Sequence, residues 1–190
     1  MKFHRSDSLR VAVLGSGTIS RRDPVYCQAV KLGKSLAEAG FTVCHGGYGG
    51  VMEAVAKGCR VGGGVNTGVI VGKSASSTPG AEKLFKHPVL SGVNPWVDAE
   101  IRMPSWEKRL LKLVEMGQAY IFLDGATGTL NELFFVWEMA NKELHGKPVI
   151  ILGKRLRRFV KLLKKDPAVK IPGNFHLAAS ISQSIQLLRK

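Results

Sequence analysis

The sequence predicts an α/β fold, a doubly wound, mostly parallel sheet in a Rossmann-like three-layer αβα arrangement. Two observations carry this. Apolar runs of strand length alternate with segments of helical periodicity from residue 10 to residue 164. Such β-α repetition builds a parallel sheet covered on both faces. Glycine-rich turns then follow three of the apolar runs, where strand-to-helix connections belong. The length of 190 residues and the apolar content of 45% suit one domain over 1–190.

The elements follow in order. Arg10-Val11-Ala12-Val13-Leu14 is a continuous apolar run and reads as a buried strand ending at Gly15-Ser16-Gly17. Val25, Ala29, Leu32, Leu36 and Ala39 keep helical spacing over 24–39, with Gly40 as the stop. Phe41–Cys44 is the second strand and runs into His45-Gly46-Gly47. A helix through Val51, Met52, Val55 and Ala56 closes at Gly62-Gly63-Gly64, and Thr67–Val71 is the third strand. Two turn-rich stretches, Lys73–Gly80 and Asn94-Pro95-Trp96, interrupt the rhythm. Strands are then expected at 98–103, 119–123 and 149–152, with helices at 105–116, 129–144, 156–163 and 181–188.

Composition narrows the function classes. The net charge is +14, and residues 146–190 hold eleven Lys/Arg against the single acid Asp166, so this segment supplies +10 of it. The basic C-terminal helical segment, about 154–190, can attract nucleic acid or acidic lipid headgroups, or serve as a solvated, solubilising face. Few aromatics interleave with it, so a stacking platform for single strands is not indicated. No apolar run is long enough to span a membrane, and Met1-Lys2-Phe3-His4-Arg5 lacks the character of a secretory signal. Cys27, Cys44 and Cys59 lack metal spacing and read as reduced, buried residues of a cytoplasmic protein.

Chemistry concentrates at the three turns. Gly46-Gly47-Tyr48-Gly49-Gly50 lets backbone approach a ligand and precedes a helix N-terminus, which favours a phosphate or a carboxylate. Gly125-Ala126-Thr127-Gly128-Thr129 offers similar donors, and either threonine hydroxyl could cap the next helix or bind an anion. Glu132 falls about one turn into that helix, as a functional acid or as a helix-stabilising one. Arg109 follows a strand end closely enough to face the carboxyl edge, where it could hold a ribose, a phosphate or the Glu132 carboxylate.

Four stretches also carry a family resemblance: Gly15-Ser16 with Ser20; Tyr26 with Leu32-Gly33-x-x-Leu36-Ala37-x-x-Gly40; His45 to Ala56; and Asp124 to Glu132. In order and spacing they resemble the Lonely Guy proteins, often labelled lysine decarboxylase-like, and their molybdenum-cofactor-carrier relatives, over roughly residues 10–152. The shared signature is a Pro-Gly-Gly-x-Gly-Thr-x-x-Glu turn preceded by a helical Arg. The resemblance implies a modified Rossmann fold, a homodimer or higher homo-oligomer, and hydrolysis of nucleoside 5′-monophosphates to free base and ribose 5-phosphate. It places the catalytic pair at Arg109 and Glu132. Nucleotide or phosphate contacts fall to Gly15, Ser16, Gly46, Gly47, Gly49, Gly50, Gly125, Thr127, Gly128 and Thr129. No metal and no further cofactor is required, and the ligand is an AMP-like nucleotide or, in the carrier branch, a molybdopterin-type group. No lysine stands in a pyridoxal-type context, so a decarboxylase is not expected.

The chain departs from the signature at four positions. Asp124 replaces its Pro, Ala126 its second Gly, Leu110 the Lys after the helical Arg, and His45 the first Gly of the second turn. If the turn requires positive φ at Ala126, the cost is about 1 kcal/mol. A carboxylate about 5 Å from a bound phosphate repels it by about 3 kcal/mol at an effective dielectric near 20. Asp124 therefore either turns away, bonding a backbone N–H, or disfavours phosphate, which points to the carrier-like, non-catalytic branch. His45 is either a hydrogen-bonded turn residue or a ligand contact.

Overall fold

The computed structural model describes residues 8–72 and 92–190. The Lys73–Gly80 stretch and the N-terminal Met1–Arg5 lie outside them. In chain order the elements are β1 (Arg10–Leu14), α1 (Pro24–Glu38), β2 (Thr42–His45), α2 (Val51–Val61), β3 (Asn66–Val71) and β4 (Ala99–Met103). There follow α3 (Trp106–Met116), β5 (Ala119–Phe122), α4 (Thr127–Asn141), β6 (Val149–Ile151), α5 (Lys154–Leu163), β7 (Phe175–Leu177) and α6 (Ile181–Leu188).

The strands form one seven-stranded sheet in the order β4-β3-β2-β1-β5-β6-β7, and every described pairing is parallel. The chain winds outward from β1 through β4, then crosses back to β5 on the other side of β1. That reversal opens a crevice beyond the carboxyl ends of β1 and β5, where doubly wound sheets bind ligands.

Side-chain alternation along the strands divides the core into two layers. Val11 and Val13 of β1 pack with Leu32, Leu36, Val51 and Val55 of α1 and α2. Ala12 and Leu14 face the other way, toward Leu113, Leu133, Trp137 and Leu156 of α3, α4 and α5. The helices α1 and α2 meet at almost backbone distance. A Cβ on Gly33 would lie 2.2 Å from the Val55 carbonyl oxygen, and one on Gly58 would lie 2.0 Å from that of Val30. The Gly33 of the family pattern is thus a packing glycine, remote from ligand chemistry.

Differences from the sequence reading have physical causes. The edge strand β7 is unheralded, because Phe175-His176-Leu177 is too short to show an alternation; backbone pairing with β6 creates it. Helix α4 starts two residues before the expected Thr129 and ends at Asn141, short of Leu144, where Glu143 takes φ 59°. Cys44 and Cys59 are buried, but Cys27 is exposed on the outer side of α1. Among the described residues no helix is long and apolar enough to cross a membrane.

Candidate functional site at the crevice between β1 and β5

Three turns meet at the crevice and Ser16 joins them. Its N–H donates to the Asp124 carbonyl at 3.3 Å, and its own carbonyl accepts from Val51 N–H at 2.8 Å. The close fit explains two glycines. A Cβ on Gly50, which has φ +63°, would lie 2.3 Å from the Ser16 carbonyl oxygen, and one on Gly125 would lie 2.0 Å from Thr129 Oγ1. Gly15 packs against Val51, and Gly49 faces the Gly17 carbonyl. By contrast, a Cβ on Gly128 would meet nothing within 4 Å.

Two helices begin at these turns, although the first N–H of α2, that of Val51, is already donated to the Ser16 carbonyl. The N-caps of α2 and α4 are Gly50 and Ala126, and neither helix has a side-chain cap. Of the two roles open to Thr127 and Thr129, capping α4 or binding an anion, the first is not taken, and Thr127 is exposed. Thr129 is 3% exposed, and its hydroxyl finds no hydrogen-bond partner among the described residues. Uncapped N–H groups at the head of a helix favour an anion. Ala126 adopts φ −95°, so the strain expected of a non-glycine residue there is absent.

Asp124 has turned away. Its carboxylate accepts from Leu156 N–H at 2.8 Å and from Arg155 N–H at 3.1 Å, which caps α5, whose own Gly153 supplies no side chain. The Arg155 guanidinium returns to the same turn and donates to the Gly125 carbonyl at 2.7 Å. A cavity of about 380 Å³ lies between this turn and Leu130, Leu156 and Phe159.

Arg109 is buried at 6% exposure. Its Nε donates to the Val69 carbonyl at 2.8 Å and an Nη donates to the Gly46 carbonyl at 3.0 Å. The guanidinium also lies against Trp106 and Tyr48, 5.0 and 5.4 Å from their ring centroids. Burial lowers its pKa, with the Glu132 charge acting the other way. No ion pair joins Arg109 to Glu132. The position read as a partner for that carboxylate instead holds β2 and β3 at the floor of the site.

Glu132 is partly buried and has no hydrogen bond or ion pair among the described residues. Burial pushes its carboxyl up to about 7, against the opposing pull of Arg109. A desolvated carboxyl without a hydrogen-bond partner, placed at the ligand crevice of the sheet, is a candidate for acid or base chemistry.

His45 is fully buried and satisfied. Its Nδ1 accepts from Gly47 N–H at 3.0 Å, so Nε2–H donates to Asn66 Oδ1 at 2.9 Å. Burial, with Arg109 adding to it, lowers its pKa to about 4. Asn66 passes the chain on to Asp98 at 2.6 Å, and Asp98 pairs with Arg60 at 3.5 Å. His45 is a turn-holding residue.

Sequence reasoning missed Tyr48 and Trp106 as the walls around Arg109, and Arg155 at the third turn. Trp106 sits three residues before Arg109 on one helix, a spacing that puts both on one face. Asn94 shows in the sequence only as part of a turn; its amide holds the second turn through the Gly47 and Tyr48 carbonyls at 3.1 and 2.9 Å.

Comparison with known proteins gives consistent matches. The model of the SLOG cluster4 family matches residues 8–179. A probable cytokinin riboside 5′-monophosphate phosphoribohydrolase of Oryza sativa subsp. japonica is 29% identical over 194 residues, with 98% of this chain and 79% of that protein covered. A cytokinin riboside 5′-monophosphate phosphoribohydrolase of Mycobacterium tuberculosis is 28% identical over 160 residues, covering 76% and 75%. Among solved structures, the molybdenum cofactor carrier protein of Chlamydomonas reinhardtii superposes with a TM-score of 0.71 at 25% identity, covering 97% of this chain and 100% of that one.

Proposed function

Because this chain belongs to the SLOG cluster4 family, within the Lonely Guy and lysine decarboxylase-like proteins, we propose that it is a nucleoside 5′-monophosphate phosphoribohydrolase. The observation that carries the reading is Glu132: a desolvated carboxyl with no structural partner, one turn past an uncapped helix N-terminus. The phosphate is read as sitting on the free N–H groups of Thr127, Gly128 and Thr129, with the Thr129 hydroxyl beside it. The ribose then lies toward Glu132, and Gly46, Gly47 and the Gly49-Gly50 pair line the nucleotide.

The reaction consumes one water: the C1′–N bond breaks with its electrons going to the base, and water oxygen bonds C1′. Ionised Glu132 stabilises the oxocarbenium character that builds on the ribose and orients the attacking water. The departing base takes up a proton, and the sugar leaves as ribose 5-phosphate. Arg109 acts by position: it fixes the Gly46 carbonyl and contributes positive charge without touching substrate. No metal or further cofactor takes part in this scheme, and the resemblance adds a homodimer or higher homo-oligomer, which light scattering on purified protein tests.

The Arg109 guanidinium is spent on two backbone carbonyls, as suits a binding protein that holds a nucleotide or molybdopterin-type ligand without turnover. Base release from AMP, followed by chromatography, separates the two. Free adenine supports the hydrolase. Thermal stabilisation by AMP without adenine supports the carrier.

A further inference from the structure

The geometry points to the exposed face of α5 as a docking surface for the phosphate backbone of duplex nucleic acid. Lys154, Arg158, Lys161 and Lys165 recur at intervals of four, three and four residues, so they form one stripe along the helix and its first following turn. The stripe spans about 16 Å at about 1.5 Å per residue. All four are exposed, and none has an ion pair among the described residues. The only acid in residues 146–190 is Asp166.

This arrangement works against the helix that carries it. Like charges three and four residues apart repel. Lys154, Arg155, Arg157 and Arg158 crowd the first turns, where the helix dipole favours acids, and α5 has no acid in its first turn. The helix depends on a borrowed carboxylate, Asp124, for its cap. Four like charges along one exposed face, with no acid paired to them among the described residues, mark a surface shaped for a partner. That partner must be polyanionic.

Two features favour a duplex backbone over other polyanions. The apolar side of α5 is already used: Leu156 and Val160 are buried in the core. Leu162 alone remains exposed, too little apolar surface to seat the helix in a lipid interface. Phe159 packs edge-on against Phe134 at 6.2 Å, so it is not free to stack unpaired bases. What remains is a row of cations facing a duplex that carries one charge per about 1.7 Å of axis.

The test is fluorescence anisotropy of the full chain with two 20-base-pair DNA duplexes of unrelated sequence, from 50 to 200 mM KCl. Four phosphate contacts give a slope of log K against log salt near −3.6, a loss of about 150-fold over that range, equal for both sequences. The variant K154Q/R158Q/K161Q/K165Q should bind at least tenfold more weakly at 50 mM KCl, with a much shallower slope. The control R22Q/K31Q/K34Q/K142Q loses the same charge elsewhere and should bind within about twofold of the parent. Far-UV circular dichroism checks that both fold; if the quadruple variant does not, Arg158→Gln alone should lower the slope by about one. No binding at 50 mM KCl overturns the proposal, as does an equal loss in the control. So does binding confined to phosphatidylserine vesicles or to single strands.

Discussion

Arg109 and Gly46 are fitted to one another. An Nη of Arg109 donates to the Gly46 carbonyl at 3.0 Å, and a Cβ on Gly46 would stand 1.8 Å from Nη2. The glycine of the second turn is therefore kept for an arginine of the same chain, and its backbone is the ceiling of a buried cation. Gly46→Ala should expel the guanidinium and cost at least about 2 kcal/mol in urea unfolding. Unchanged stability would show that Arg109 has another place to go.

Gly125 and Gly128 stand three residues apart and should respond differently to an added methyl group. Gly125→Ala puts a Cβ against Thr129 and Ser16 N and should abolish stabilisation by AMP in thermal unfolding. At Gly128 a Cβ enters open space inside a helix. Gly128→Ala should raise the unmelted helix content or leave stability unchanged, while weakening AMP binding through the ligand's phosphate alone.

Asp124→Ala should uncap α5, at a cost of about 0.5–2 kcal/mol, yet leave base release within a few-fold of the parent. Its carboxylate faces Arg155 and Leu156, so no repulsion of a phosphate is relieved by removing it. A large gain in AMP affinity would contradict that placement.

Glu132 and His45 give opposite pH dependences in overlapping windows. His45 has its folded pKa lowered to about 4 from 6.5. The unfolded chain binds the proton more readily, so this group contributes stability above pH 6.5 and loses it as pH falls toward 4. Glu132 is raised from 4.5 to about 7. The folded chain holds that proton longer, so stability from this group is present below pH 4.5 and lost as pH rises through 7. Denaturant titrations should show Glu132→Gln stabilising the protein at pH 8 by about 1–3 kcal/mol and far less at pH 5. In that variant the acid loss from His45 becomes visible between pH 6.5 and 4. Base release should rise with pH and level off above about 7, as the carboxylate forms.

The sheet was readable from the sequence because buried parallel strands are continuous apolar runs, as at Arg10–Leu14 and Ala119–Phe122. The three turns were readable for the same reason, since each follows such a run. The partners of the side chains were not. Asp124 looked like an obstacle to phosphate because its acceptor role depends on two N–H groups some thirty residues later in the chain. Arg109 reads as facing substrate or Glu132 because its acceptors, the Val69 and Gly46 carbonyls, carry no side-chain signature. Hydrogen bonds to backbone at long sequence separation leave no trace in residue spacing, whereas strand patterning and turn chemistry are local.

The measurement that bears most directly on the proposed activity is chromatography of AMP incubated with purified protein and with Glu132→Ala. Hydrolysis at Glu132 should give equimolar adenine and ribose 5-phosphate from the parent and neither from the variant, with both proteins folded and both stabilised by AMP. Stabilisation of the parent by AMP without free base from any nucleoside monophosphate would contradict hydrolysis and leave the site a carrier's.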